Sequence, residues 1–147
     1  MVLWRISNHV SVAGDGGMRA SGRWHTRGHR VVYCSESPAA ALLEILVHFE
    51  IDVRDLPTRY RLLKLHTSDN LHVEVAPDLP VDWLERTDLT RATGDRWLQT
   101  GRSPLLRVPS AVVPETFNVL LNPEHRQAGQ VAVVQVSEHV IDPRLLT

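Results

Sequence analysis

The chain has 147 residues, 43% hydrophobic and 22% charged, which are the proportions of one globular domain able to bury a core without staples. Its 16 Lys and Arg against 17 Asp and Glu leave a formal charge of -1, which argues against a general nucleic-acid binder, since such proteins are strongly basic. Its single cysteine, Cys34, excludes an internal disulfide and a multi-thiolate zinc site and suits a reducing cytoplasm.

Met1-Val2-Leu3-Trp4-Arg5 lacks the basic start and long apolar stretch of a signal peptide. No apolar run nears the ~20 residues of a membrane span. A cytoplasmic location is the expectation. Val2 to Ile6 reads as a strand. Ser11 to Ser21 reads as loop from its glycines, and Gly16-Gly17 and Gly22 give that backbone freedom to fold closely over a ligand. Val31 to Cys34 is a strand by β-branched and aromatic content. Ser37-Pro38 is a helix start, with serine as N-cap and proline in the first turn. The helix is expected to run to Phe49 or Glu50. At about 100° per residue, Ala39, Leu42, Leu43, Leu46 and Phe49 form its apolar stripe, with Glu44, Ala40, Ala41 and His48 roughly opposite.

Residues 52–57 read as a connection, Thr58 to His66 as a strand, and Leu71 to Val75 as an alternating, half-buried strand. Asp82 to Glu85 reads as a helical turn. Thr90 to Thr100 reads as a helix with Trp97 and Leu98 inward and Gly101 as its stop. Leu105 to Val113 is a strand interrupted at Pro109-Ser110, Phe117 to Leu121 the next, and Val131 to Val136 the last, with a turn at Asn122-Pro123. Helical crossovers are too few for a doubly wound parallel sheet, so the pattern predicts an α+β fold with largely antiparallel strands.

The basic, glycine-flanked stretch Gly22-Arg23-Trp24-His25-Thr26-Arg27-Gly28-His29-Arg30 suggests an anion site. Arg23 could fork two hydrogen bonds to a phosphate, or be a solvated loop arginine. His25 and His29 are four apart, but Gly28 argues against the helix that would make them a metal pair, and no third ligand is evident. Tyr33 suits either the core or the face of a flat ligand. Glu44 is a surface glutamate paired with His48, or a carboxylate that stabilises positive charge developing on a sugar. Ser110 has neither a local base nor a nucleophile-elbow pattern, so a ligand-orienting hydroxyl is the better reading. Asn118 alternates with Phe117 and Val119, and if buried must find polar partners. Together these residues would suit cleavage of a phosphorylated N-glycoside.

Gly22-Arg23-Trp24-His25, Val31-Val32-Tyr33 and Ala41-Leu42-Leu43-Glu44 resemble the start of the RES domain. Gly94-Asp95-Arg96-Trp97-Leu98 resembles its central helix. Leu106 to Pro114 and Asn118 to His125 resemble its C-terminal signature. The resemblance covers nearly the whole chain and implies a single RES domain over residues 1–147. The family is named for an arginine, a glutamate and a serine, which by motif fall on Arg23, Glu44 and Ser110. It implies a fold similar to ADP-ribosyltransferases, with a split, mostly antiparallel β core and flanking helices.

It further implies the toxin of a bacterial type II toxin–antitoxin system. The partner would be an Xre-type helix-turn-helix antitoxin, through which alone DNA is met, and the toxin is expected to be a homodimer in the complex. The implied activity is breakdown of NAD by phosphorolysis, with inorganic phosphate as acceptor, or by hydrolysis, without a metal. Arg23 would take the diphosphate and Tyr33 the nicotinamide or its ribose. Glu44 would take the ribose hydroxyls, and Ser110 would orient the ribose or the glutamate. Asn118 would complete the NAD site. The alternative activity is mono-ADP-ribosylation of a protein. Further off stand a nucleic-acid module using Arg19, Arg23, Arg27 and Arg30, and a non-catalytic antitoxin-binding subunit. His25 stands where many relatives carry asparagine, and the resemblance assigns it no role.

Overall fold

The alternating segments find one another in a single sheet in a computed structural model that describes residues 1–48 and 58–146. The strands are β1 (Val2–Ile6), β2 (Val32–Ser35), β3 (Arg59–Thr67), β4 (Val73–Val75), β5 (Leu105–Pro109), β6 (Phe117–Leu121) and β7 (Val131–Val140). The helices are α1 (Asp15–Arg19), α2 (Pro38–His48) and α3 (Thr87–Thr100). Among the described residues the strand order is β4-β5-β6-β2-β1-β3-β7. Only β4 and β5 run parallel; the other neighbours are antiparallel. This is the expected α+β architecture.

The sheet is divided at its middle. β1 and β3 pair over five registered positions and β2 and β6 over four, but β1 meets β2 only at Trp4 opposite Ser35. Beyond that bridge a side chain takes over: Arg5 Nη1 donates to the Tyr33 carbonyl at 2.9 Å. The split thus falls between β4-β5-β6-β2 and β1-β3-β7.

Alternation along β2 and β6 sorts the core into two clusters. Val32, Cys34, Val119 and Leu121 join Leu3, Leu63, Leu65 and Leu105 on one face. Leu120 joins Leu106, Val108, Trp24 and Trp97 on the other, with Tyr33 packed against them. Glu44 on α2 hydrogen-bonds Asn118, which shares the Leu120 face by its spacing along β6. Both α2 and α3 therefore cover the Tyr33–Leu120 face, and a cleft opens beside the central seam.

Several expectations need correction. Residues 11–21 are not all loop: α1 forms at Asp15–Arg19, with Asp15 in its first turn and Arg19 in its last, where each suits the helix dipole. Its Gly17 is buried, and a Cβ there would stand 2.3 Å from the His29 carbonyl oxygen. α3 begins at Thr87, three residues before the expected start, and ends as foreseen on Gly101, at φ 60°, whose N–H bonds the Trp97 carbonyl. β4 is shorter than expected, β5 stops at Pro109, and β7 extends four residues further.

The largest correction concerns α2. Ser37 does cap it, its Oγ accepting from Ala40 N–H at 3.1 Å. The expected stripe, however, is not the helix's buried face. Ala41 is the residue the helix buries, while of the stripe Ala39 and Leu43 are exposed and Leu42 and Leu46 half-buried. A small residue at the contact lets the helix lie close to β1 and β2, with Glu44 one turn further along the same side. The expected helix end at Phe49 or Glu50 and the connection at 52–57 lie outside the described residues.

Candidate active site

The cleft has two walls, each placed by a different part of the fold. On one, Glu44 projects from α2 toward the ends of β5 and β6. Ser110 Oγ donates to Glu44 Oε1 at 2.7 Å, and Asn118 Nδ2 donates to the same oxygen at 2.8 Å. Oε2 takes no hydrogen bond from the described residues. Ser110, only 8% exposed, sits where Pro109 ends β5. Its Oγ also accepts the backbone N–H groups of Val112 and Val113 at 3.1 and 3.2 Å. One donor and two acceptor positions exhaust a hydroxyl, so Ser110 is committed to holding the carboxylate.

Asn118 is fixed from behind: its Oδ1 accepts from Ser35 Oγ at 3.0 Å, which turns its amide nitrogen to Glu44. Ser35 and Asn118 are register partners on β2 and β6. The carboxylate is therefore oriented by a chain that runs from Ser35 through Asn118, with Ser110 closing the other side. Glu44 forms no ion pair with His48, the bland alternative, although both border the cleft.

On the other wall, Arg23 leads a loop that α3 clamps through its backbone. Thr90 Oγ1 donates to the Arg23 carbonyl at 2.6 Å, and Arg91 Nε to the Gly22 carbonyl at 2.8 Å. Asp95 accepts from Thr26 N–H at 2.8 Å and from its hydroxyl at 2.6 Å. Gly94 makes this approach feasible: a Cβ there would lie 1.6 Å from the Trp24 carbonyl oxygen, so only glycine lets α3 press onto the loop. The Arg23 guanidinium is held more lightly, by one exposed hydrogen bond from Nη1 to the Leu84 carbonyl at 3.1 Å.

Tyr33 joins the walls. Burial raises its phenol well above the usual tyrosine range, so it stays protonated. Its hydroxyl accepts the Trp24 N–H at 3.1 Å and lies 2.8 Å from His25 Nδ1. Gly22 is confined here too, since a Cβ would fall 2.4 Å from that hydroxyl.

Arg23, Tyr33, Glu44, Asn118 and Val112 line a cavity of about 360 Å³. A smaller one of about 100 Å³, bordered by Arg5, Tyr33, Ser35, Glu44 and Asn118, straddles the seam. The five residues singled out from sequence thus meet at one place, Ser110 through its bond to Glu44. A carboxylate with one oxygen pinned and the other unbonded by the described residues, sharing a cavity with an arginine and a tyrosine ring, is equipped to hold a ribose-like polyol and stabilise cationic character on it.

Ser35, Thr90, Arg91, Asp95 and Arg5 had escaped the sequence reading. Arg5 carried a signal: an arginine in the apolar run Val2-Leu3-Trp4-Arg5-Ile6, spaced by two from the buried Leu3. Its Nε is buried without a partner among the described residues, and burial lowers the pKa of the group. Cys34 is no nucleophile: burial pushes its thiol up to about 12. His25 has both ring nitrogens engaged by protein groups, and His29 lies 3.8 Å from Asp95.

The RES domain family model matches residues 2–143. A protein named Toxin Res from Pseudomonas putida is 47% identical over 145 residues, covering 99% of both chains. A Sphingobium protein named Prs ADP-ribosylating toxin is 33% identical over 156 residues, covering 98% of this chain and 96% of its own. Among solved structures, a chain of the Mycobacterium tuberculosis MbcT–MbcA toxin–antitoxin complex matches 98% of this chain and 85% of its own. Its TM-score is 0.75 at 18% identity, a likeness of fold.

Proposed function

Since the chain belongs to the RES domain family, we propose that it is the toxin of a toxin–antitoxin pair and that it breaks the nicotinamide–ribose bond of NAD. The observation that carries the chemistry is the double hydrogen bond to Glu44 Oε1 from Ser110 and Asn118. It fixes a carboxylate in the cleft while leaving Oε2 for the ribose hydroxyls. As nicotinamide departs, positive charge grows on the sugar, and a preoriented carboxylate stabilises it. Nicotinamide leaves as a neutral base, so the step needs no general acid, which suits a cleft wall with one such carboxylate. Arg23 binds the diphosphate after leaving its bond to the Leu84 carbonyl. Tyr33 gives its ring edge or face to the nicotinamide end. Phosphate or water then attacks the anomeric carbon.

The test is nicotinamide release from NAD by purified protein, with and without phosphate. Glu44→Gln keeps the shape of the side chain and removes its charge, and should cost about 10²–10³ in rate. Full activity in that variant would overturn the assignment.

A second reading, mono-ADP-ribosylation of a protein, is favoured by one observation: the 33% identical Sphingobium relative is named an ADP-ribosylating toxin. Both readings share the first half of the reaction and differ in the nucleophile. Mass analysis of products in phosphate buffer separates them, as ADP-ribose phosphorylated at the anomeric carbon, free ADP-ribose, or a modified protein. For partners, we propose a helix-turn-helix antitoxin of the Xre type, with DNA reached only through it, and a toxin homodimer within the complex. The named neighbour comes from a toxin–antitoxin complex. The site of action would be the cytoplasm, where NAD is abundant.

A further inference from the structure

The mechanism leaves His25 unused, yet it is buried beside the cleft with both ring nitrogens engaged. It is 3% exposed. Nε2 lies 3.0 Å from the Ala20 carbonyl and 3.3 Å from that of Gly17, and Nδ1 lies 2.8 Å from the Tyr33 hydroxyl. Carbonyl oxygens only accept, so Nε2 must carry a proton. In the neutral ring Nδ1 is then bare and accepts the tyrosine's hydrogen. The Tyr33 oxygen meanwhile accepts Trp24 N–H. Every hydrogen in this cluster thereby has one direction.

We propose that His25 is a positioning residue for the substrate site. Its neutral, Nε2-protonated ring takes the Tyr33 hydroxyl proton and hooks the end of α1. One imidazole thus sets the tyrosine ring and the Arg23–Trp24 backbone in register. This deepens the NAD reading and rests on it for its kinetic consequence, though not for its hydrogen-bond pattern.

Adding a proton to Nδ1 breaks the arrangement. The tyrosine oxygen would then face two N–H donors, from Trp24 and His25, and its own hydrogen would have to turn elsewhere. The charged and titratable groups around the ring come from every side. They are Tyr33 on β2, Asp95 on α3, His29 in the same loop, Asp15 and Arg19 on α1, and Arg5 and His9 across an adjoining cavity of about 320 Å³. Burial is the strongest influence and lowers the pKa of His25 below its ordinary 6.5. The Gly17 and Ala20 carbonyls and Asp95 oppose it, and His29 reinforces it. The neutral, positioning form therefore prevails at neutral pH and is lost only as pH falls below the ordinary histidine range.

The test has two arms on the full chain. Long-range proton–nitrogen spectra of histidine-labelled protein at pH 7.5 should show His25 as the Nε2–H tautomer. On acidification the Trp24 amide should shift in step with His25 taking up its second proton. In NAD turnover, the wild-type KM should rise about tenfold across that same titration, the worth of an ordinary buried hydrogen bond. His25→Asn offers an amide acceptor near the place of Nδ1 but cannot titrate. It should begin from a raised KM and follow no such acid limb. His25→Phe, with no acceptor, should have a higher KM than His25→Asn at every pH. An Nδ1–H tautomer or a charged ring at pH 7.5 would overturn the proposal, as would the same acid limb in wild type and His25→Asn. If the wild type consumes no NAD, the NAD reading fails, and the spectral arm still decides the role of His25.

Discussion

The two walls of the cleft are built on opposite plans. The Glu44 wall holds its functional side chain directly: two donors reach one carboxylate oxygen, and one of them is itself fixed by Ser35. The Arg23 wall holds its backbone instead. α3 grips the carbonyls of Gly22 and Arg23 and the amide of Thr26, while the guanidinium rests on a single exposed carbonyl. The difference fits a division of labour. Under the proposed NAD chemistry, a carboxylate that stabilises a transition state gains from being fixed beforehand. Under the same proposal, an arginine that takes a diphosphate gains from a firm base and a free end.

That contrast can be broken most severely at Gly94. In Gly94→Ala the new methyl meets the Trp24 carbonyl, which cannot move without pulling α3 from the loop. The expected cost is at least about 3 kcal/mol, the upper end of ordinary overpacking, read by urea unfolding. A loss under about 1 kcal/mol would mean the clamp is far softer than its geometry implies.

Next come the two walls compared directly. Asn118→Ala should lower kcat about tenfold and move KM little, because it frees the carboxylate. Arg23→Ala should do the reverse, raising KM tenfold or more through loss of charge-assisted bonds. If both variants changed the same constant, the division of labour would be wrong. The smallest effect belongs to Ser35→Ala, which leaves Asn118 in place but unlatched. A decrease in kcat of about fivefold, with the unfolding midpoint nearly unchanged, is the expected result.

The elements that alternate or repeat cleanly were legible in the sequence. β1, β3, β6 and the Gly101 stop of α3 follow from side-chain period and from one residue able to adopt positive φ. α1 was hidden because two of its five residues are glycine, which local propensity assigns to loop. The orientation of α2 was hidden for a deeper reason. Its apolar stripe is real, but the sheet offers Ser110 and Asn118 to Glu44, and these stand 66 and 74 residues away. Long-range polar contacts leave no local period.

The cleft was legible in its candidate functional residues and illegible in its supports. Arg23, Tyr33, Glu44, Ser110 and Asn118 could be named by chemistry and resemblance, and they surround one cleft. Ser35, Thr90 and Asp95 are ordinary polar residues whose importance lies only in what they touch.

The seam between the two half-sheets also has a dynamic meaning. Trp4 and Ser35 form the one backbone bridge between two otherwise well-laddered leaves. The cavity beside it draws Trp4 and Ile6 from one leaf and Cys34 and Asn118 from the other. Breathing motion concentrates where hydrogen bonds are sparse, so the leaves should hinge beneath the cleft. A ligand spanning them would act as a second stitch, slowing amide exchange along β1 and β2 before it is felt anywhere else in the sheet.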